Sequence, residues 1–443
     1  MQTLFEHKKY VVVLGLGATG LSCARYLVSQ GIDFVVIDSR PAPSGQHRLQ
    51  RIAPNATLYS GAWHSDIIAK ADLIIASPGV DINQAEIADY VQADAELIGD
   101  VELYCRINRS PKLAVTGSNG KSTVVSLLDH IAKHLHIDSV LAGNIGVPVL
   151  DVIEQDCDMV ILELSSFQLE TMTSLNAVAG TVLNISDDHL DRHKTMDNYQ
   201  AIKHRIYQQS QRRVYNRHQS NTYPTELRVD DISFGIDAPA HGHLGIIKDE
   251  QHCYLAFGEQ RLINCDQLPL AGQHNYLNCL AALALGYCAG WSMTMMARAL
   301  LSFEGLAHRC KQVDSGDDII WINDSKATNI GATLAAIEGL VHPRRRLILI
   351  AGGDGKGADF SELQPGISMV DELITLGKDG PEIAQLKANS IEVHSLEQAV
   401  QQARNIAEPG DMVLLSPACA SIDMFNNYMQ RGDMFIAAIR GEQ

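Results

Sequence analysis

The chain has 443 residues, 46% of them hydrophobic and 20% charged, with 35 basic against 52 acidic side chains and a formal charge of −17. That balance suits a globular chain of about three domains. It argues against a sequence-nonspecific nucleic-acid binder, whose affinity comes largely from neutralising phosphates, while leaving local positive sites open to anionic ligands. The first residues lack the apolar core of a secretory leader. The most apolar helical run, 277–291, is too short for a membrane span and is interrupted by Asn278, Gly286 and Gly290. Nine cysteines without a Cys-x-x-Cys pair read as reduced core residues. A cytoplasmic protein with no nucleic-acid or membrane partner is expected.

Residues 9–14 read as a strand that enters Gly15-Leu-Gly-Ala-Thr-Gly20, then a helix over 21–30 and a strand over Phe34–Asp38. Taken alone, this Gly-x-Gly-x-x-Gly in a βαβ setting suggests a dinucleotide unit with Asp38 on a ribose; tight strand–helix packing explains the glycines equally well. A further strand, 71–76, ends in Ser77-Pro-Gly-Val80. The pattern shifts near Gly99, which marks a boundary.

The most informative stretch is Thr116-Gly-Ser-Asn-Gly-Lys-Ser-Thr123. A strand over 113–115 meets a glycine turn, and from Lys121 the apolar residues Val124, Val125, Leu127, Leu128 and Ile131 recur at helical spacing. Strand, turn and helix start make a phosphate cradle: unpaired N–H groups and the helix dipole face an anion. Lys121 can reach outer phosphates, and Ser122 or Thr123 can sit on Mg²⁺. This is a shortened variant of the common motif, since Val115 stands where that form has its first glycine.

Downstream, Glu163 lies inside the apolar run 159–164, where a carboxylate is costly unless it is paired or on a metal. His189 among Asp187, Asp188 and Asp191 makes a hard-metal neighbourhood, although Asp187, Asp191 and His193 also fit a solvated loop. Lys203, in a helix over 196–209, reads on spacing alone as an exposed helix lysine. Asn144 occupies a loop after a strand, and Asn275 sits near the start of an apolar helix over 277–290. A third segment begins near Gly305. Its strands end in loops bearing Arg309, Lys326, Lys356 and Ser416, cations and hydroxyls suited to a small acidic substrate and the far side of a nucleotide.

Thr116–Thr123, Leu162-Glu-Leu-Ser-Ser-Phe-Gln-Leu-Glu170, Asp187-Asp-His-Leu-Asp-Arg192, Gly272-Gln-His-Asn275, Asn323-Asp-Ser-Lys-Ala-Thr-Asn329 and Leu415-Ser-Pro-Ala-Cys-Ala-Ser421 together resemble the Mur ligase family over nearly the whole chain. The last two point to the member that adds D-glutamate. The resemblance implies an α/β chain of three domains: an N-terminal Rossmann-like domain (1–99), a central P-loop ATPase-like domain with a mostly parallel sheet (100–304) and a C-terminal Rossmann-like domain (305–443). It implies ATP-driven ligation of D-glutamate to UDP-N-acetylmuramoyl-L-alanine through an acyl phosphate, by a monomer. ATP would contact Gly117, Ser118, Asn119, Gly120, Lys121, Ser122, Thr123, Asn144, Asn275, Arg309, Asp324 and Lys326. One Mg²⁺ would rest on Ser122 or Thr123 with Glu163, and a second on His189 with a carbamylated Lys203; Lys121, Glu163, His189 and Lys203 are the implied catalytic set. Thr328, Lys356, Ser416 and Phe425 would grip D-glutamate. The UDP end would bind Gly17, Ala18, Thr19, Asp38, Arg40, Ser77, Pro78 and Gly79, which replaces the dinucleotide reading. Cys310, where an aromatic is expected beside the nucleotide, and the small Ala18 depart from the family pattern.

Overall fold

Short apolar runs build three separate sheets in the computed structural model, which describes Phe5 and residues 7–270, 272–342 and 344–441, apart from the side chain of Asp191. The first sheet contains β1 (Val11–Leu14), β2 (Phe34–Asp38), β3 (Thr57–Ser60), β4 (Leu73–Ala76) and β5 (Glu96–Gly99), all parallel, in the order 3-2-1-4-5. Val11 to Leu14 are at most 1% exposed, as expected of a strand covered by helices on both faces. The helix Ala18–Ser29 starts tightly against β1: a Cβ on Gly20 would run into the carbonyl oxygen of Gly15. That close approach explains the third glycine of the motif without any ligand.

The second sheet has nine strands: β6 (Lys112–Thr116), β7 (Ser139–Gly143), β8 (Met159–Glu163), β9 (Ala177–Val182), β10 (Ser210–Asn216), β11 (Ile232–Phe234), β12 (Leu244–Lys248), β13 (Cys253–Phe257) and β14 (Gln260–Asn264), ordered 14-13-12-11-10-9-6-8-7. It is parallel from β7 to β12 and closes with the antiparallel meander β12-β13-β14. The third sheet contains β15 (Lys311–Val313), β16 (Ile320–Asn323), β17 (Leu347–Gly352), β18 (Glu372–Leu376), β19 (Ile391–Glu392) and β20 (Met412–Leu415), ordered 15-16-20-17-18-19, with only β15 antiparallel. The α/β reading with mostly parallel sheets holds.

The hydrophobic clusters do not follow the sheets one to one. One cluster runs without a break from Val11 and Leu27 on the first sheet to Ala114, Leu162 and Ile206 on the second. The third sheet packs two clusters of its own, whose members all lie between 310 and 439. The nine cysteines are all free, and among the described residues no helix is long and apolar enough to cross a membrane.

Candidate active site

The phosphate loop leaves β6 at Thr116 and turns through Gly117 and Gly120 into the helix Lys121–His134. Gly120 has φ +83°, and a Cβ there would strike the side-chain oxygen of Asn278, so both conformation and space require glycine. No side chain caps this helix, which leaves its first N–H groups facing the cleft. Asn184 shapes the loop. Its carbonyl accepts from Ser118 N (2.9 Å), its Oδ1 from Asn119 N (2.7 Å), and its Nδ2 donates to the Asn119 carbonyl (3.0 Å). Nothing in the sequence marked Asn184 except its place at the end of an apolar run.

Two lysines converge on one carbonyl. Lys121 Nζ donates to the carbonyls of Gly117 (2.7 Å) and Ser118 (2.8 Å), and Lys203 Nζ donates to the same Gly117 oxygen (3.0 Å). Lys203 is 2% exposed, not the solvated helix lysine its spacing suggests. Its amine lies over the Tyr199 ring at 4.6 Å. Burial first, then the Lys121 charge, holds its pKa well below the usual lysine range. Burial also lowers Lys121.

Glu163, the last residue of β8, is 1% exposed. Its Oε1 accepts from Asn144 Nδ2 (2.8 Å), whereas its buried Oε2 has no hydrogen-bond partner among the described residues. An unpaired buried carboxylate oxygen is expensive, and a cation beside the Ser122 and Thr123 hydroxyls would satisfy it. Among the described residues no three His, Cys, Asp or Glu side chains converge as a metal site. A metal here would therefore depend on hydroxyl and phosphate oxygens, which is how Mg²⁺ is usually held. His189, in the left-handed region (φ 58°), opens the turn Leu190–His193, with its ring edge-on to Phe167 at 4.9 Å and its Nε2 3.6 Å from Asp188 Oδ2. His193 is not a solvated loop residue: it is 1% exposed and its Nε2 bonds Ser166 Oγ at 2.8 Å. The Asp191 side chain lies outside the described set.

These groups face the third sheet across a cavity of about 420 Å³. Ser118 to Thr123, Asn144, Asn275, Arg309, Asp324 and Lys326 line it together with Glu163 and His189; Gly117 and Lys203 are not part of its wall. Arg309 Nη2 donates to Ser122 Oγ (2.7 Å). Lys326 rests 3.8 Å over the Tyr428 ring, and burial followed by the Arg309 charge lowers its pKa to about 8. Burial raises the Asp324 carboxyl to about 7 against hydrogen bonds from Ser416 Oγ (2.9 Å) and Cys310 N (3.2 Å). Cys310 takes a left-handed φ of 46° and lines the cavity in place of the expected aromatic. Asn329, overlooked in the sequence, reaches across: its Oδ1 accepts from Asn119 Nδ2 and its Nδ2 donates to Asn119 Oδ1, both at 3.2 Å.

The group expected to hold the amino acid is only partly assembled. Thr328 lines the cavity, but Lys356 is exposed outside it in a left-handed turn, and Phe425 packs half-buried on the C-terminal core. Ser416 is fully buried, with its hydroxyl committed to Asp324 and Thr333, so it supports Asp324 rather than facing the cleft.

On the first sheet, Gly17, Ala18, Thr19, Arg40, Ser77, Pro78 and Gly79 form a half-buried to exposed strip past the carboxyl ends of β1, β2 and β4. Ser77 Oγ donates to the Gly15 carbonyl (3.2 Å) and ties two of these turns together. Asp38 uses its oxygens internally. It accepts from Leu16 N (2.8 Å) and from Arg40 Nε and Nη2 (2.8 and 2.6 Å). Burial raises its pKa, but these partners outweigh burial and leave it below the usual carboxylate value. A ribose contact from Asp38 would have to compete with them.

Three family profiles match successive parts of the chain: "Mur ligase MurD-like, N-terminal domain" over residues 9–99, "Mur ligase middle domain" over 115–286, and "Mur ligase, glutamate ligase domain" over 308–419. A UDP-N-acetylmuramoylalanine–D-glutamate ligase from Colwellia psychrerythraea is 52% identical, with all of this chain and 98% of that protein aligned. The protein of the same name from Shewanella oneidensis is 44% identical, with 98% of each covered. Among solved structures, a MurF ligase from Thermotoga maritima in complex with ADP superposes with a TM-score of 0.63 at 16% identity, covering 92% of this chain and 95% of that one. A UDP-N-acetylmuramate–alanine ligase from the same organism gives 0.62 at 18% identity, covering 98% and 100%. At such identities these two establish the fold alone.

Proposed function

The chain belongs to the Mur ligase family, and we propose that it joins D-glutamate to UDP-N-acetylmuramoyl-L-alanine with hydrolysis of ATP, a cytoplasmic step in making peptidoglycan precursors. The observation that carries the reading is full-length identity of 52% with a D-glutamate ligase. The cleft that joins the phosphate loop to Arg309 and Lys326 supplies the chemistry.

A carboxylate is a poor electrophile, so the L-alanyl carboxylate first attacks the γ-phosphorus of ATP and ADP leaves. The D-glutamate amine then attacks the acyl carbon, and the new C–N bond displaces phosphate. The incoming ammonium sheds two protons, one of which leaves on phosphate. Phosphoryl transfer asks chiefly for alignment and charge neutralisation. Lys121, Arg309 and Lys326 provide positive charge around the phosphates, and the N–H groups of the loop 117–123 fix their direction. Mg²⁺ bound here would further screen the charge that builds on the transferring group. Glu163 Oε2 with Ser122 or Thr123 would hold one ion, and His189 with Lys203 a second. For that, Lys203 must exchange its ammonium for an oxygen ligand. A neutral amine adds to CO₂ and loses a proton to give a carbamate, and the low pKa of Lys203 favours that neutral amine. Thr328 and Lys356 would receive D-glutamate near Phe425, with Ser416 setting Asp324. The strip from Gly17 to Thr19, Asp38, Arg40 and Ser77 to Gly79 would take the UDP end. The division 1–99, 100–304 and 305–443 and a monomeric state belong to the same proposal.

Phosphate release from Mg-ATP and UDP-N-acetylmuramoyl-L-alanine is expected to require D-glutamate and to fail with L-glutamate, L-alanine or meso-diaminopimelate. Release with one of the others instead would keep the ligase chemistry and overturn the substrate. Lys203→Ala is expected to lose on the order of 10³-fold in kcat with an unchanged fold; near-normal rates would remove Lys203 from the site.

A further inference from the structure

Two charged residues of the ligase motifs, Glu170 and Arg192, have no part in the chemistry above. Arg192 belongs to the turn Leu190–His193 that His189 opens, and its side chain is 10% exposed. Its guanidinium has four neighbours, two of them hydrogen-bonded, while its buried Nε makes no hydrogen bond among the described residues. Nη1 donates to the Val80 carbonyl (2.9 Å), Nη2 donates to Glu170 Oε2 (2.6 Å), Nε lies 3.1 Å from Asp81 Oδ1, and the plane lies 5.3 Å over the Phe167 ring. The other Glu170 oxygen, Oε1, accepts from Asn83 Nδ2 (2.7 Å). Val80, Asp81 and Asn83 follow directly on Ser77 to Gly79, while Phe167 and Glu170 follow β8 and Glu163. The gap beside them, lined by Ser77, Pro78, Asp100 and Arg192, holds about 10 Å³, room for one water. One guanidinium thus ties the loop offered to the UDP-muramyl substrate, the stretch after Glu163 and the turn of His189.

We propose that Arg192 is a positioning residue for the acceptor substrate. Held by Glu170, it fixes the loop 77–83 relative to His189, so that binding at the UDP end becomes alignment of the distant carboxylate that is phosphorylated. The inference rests on the reaction proposed above. Arg192 is not needed to hold the first two sheets together. They share a continuous core, and the Arg25 guanidinium already pairs with Asp151 through Nε (2.9 Å) and Nη2 (2.5 Å). A lysine could supply the charge but not the planar fork that donates to Val80 and Glu170 together.

The test compares full-length Arg192→Lys and Arg192→Ala with Arg25→Ala, reading kcat, KM for each of the three substrates, melting temperature and hydrogen exchange of residues 77–83. Both Arg192 variants should lose between about 10- and 100-fold in kcat/KM for the UDP substrate. KM for ATP and D-glutamate should stay within about twofold, melting should match Arg25→Ala, and exchange at 77–83 should quicken. Wild-type turnover with an unaffected Arg192→Lys overturns the proposal, as does a rate loss that tracks the melting temperature or is shared by Arg25→Ala. If the wild type turns over none of this substrate, the reaction assigned above fails; exchange then still decides whether Arg192 holds the loop, and unchanged exchange overturns that.

Discussion

The seam between the first and second sheets and the seam between the second and third are built by opposite means. At the first, one apolar cluster runs through both units, with charged ties such as Arg25–Asp151 added at its edge. At the second, each side keeps its own core; the helices Gln273–Cys288 and Ile330–Leu340 touch, and the side-chain hydrogen bonds across are Arg309 to Ser122, the Asn119–Asn329 amide pair and Asn329 to Asp188 at 3.3 Å. Apolar burial is lost wholesale when a seam opens, whereas amide and guanidinium contacts trade readily for water. The comparison teaches where motion belongs. The first two units should travel as one body and the third should open and close on the nucleotide cleft, as ligases that shield an acyl phosphate from water require. Small-angle scattering with ATP analogue and nucleotide substrate should show a more compact particle than the free protein, and an identical profile would argue against closure.

The largest break should come from the shared core. Leu150, 4% exposed, lies in the short helical turn Val149–Val152 packed against the helix Ala18–Ser29. Leu150→Ala should cost about 2–5 kcal/mol and raise exchange in both of the first two units together. Leu349→Ala, in the centre of the third core, should cost as much but loosen only residues beyond about 310. Cooperative loss of all three units in both variants would erase the distinction.

A smaller effect concerns pH. The Asp324 carboxyl, buried, titrates near 7 against a usual 3.8. A raised folded-state pKa gives stability that is present at low pH and drains away as pH climbs towards 7, here about 2 kcal/mol between pH 5 and 7. Asp324→Asn should flatten that dependence in the third unit and leave exchange in the first unit unaltered. Smaller still, Asn329→Ala removes both the amide pair and the cap on Ala332 N (2.9 Å) at the start of the helix Ile330–Leu340. It should cost about 1 kcal/mol and raise KM for ATP more than for the UDP substrate. Equal changes in the two would mean that the pair does not report on the nucleotide side.

What the sequence made legible follows one rule. The phosphate loop was readable because its strand, glycines, lysine and hydroxyls are contiguous, and Glu163 because a carboxylate in an apolar run needs a reason. Lys203 was not readable from spacing, because what buries it is Thr116, Gly117 and Tyr199, and the first two lie over 80 residues away. Ser416 and His193 misled for the same reason: a polar side chain in a loop looks alike whether it faces solvent or a buried partner. The meander β12-β13-β14 escaped because each strand is only five residues long, and β14 (Gln-Arg-Leu-Ile-Asn) mixes polar with apolar side chains. The residues expected to hold D-glutamate come together least: Thr328 lines the cavity, and Lys356 is exposed outside it.

The polar second seam also bears on ancestry. A unit with its own core, attached by one chain crossing near 301–310 and a few exchangeable hydrogen bonds, can be inherited as a cassette. Recombination at that crossing would exchange the whole unit, and with it the Arg309, Asp324 and Lys326 side of the cleft, without disturbing the packing that keeps the first two units folded.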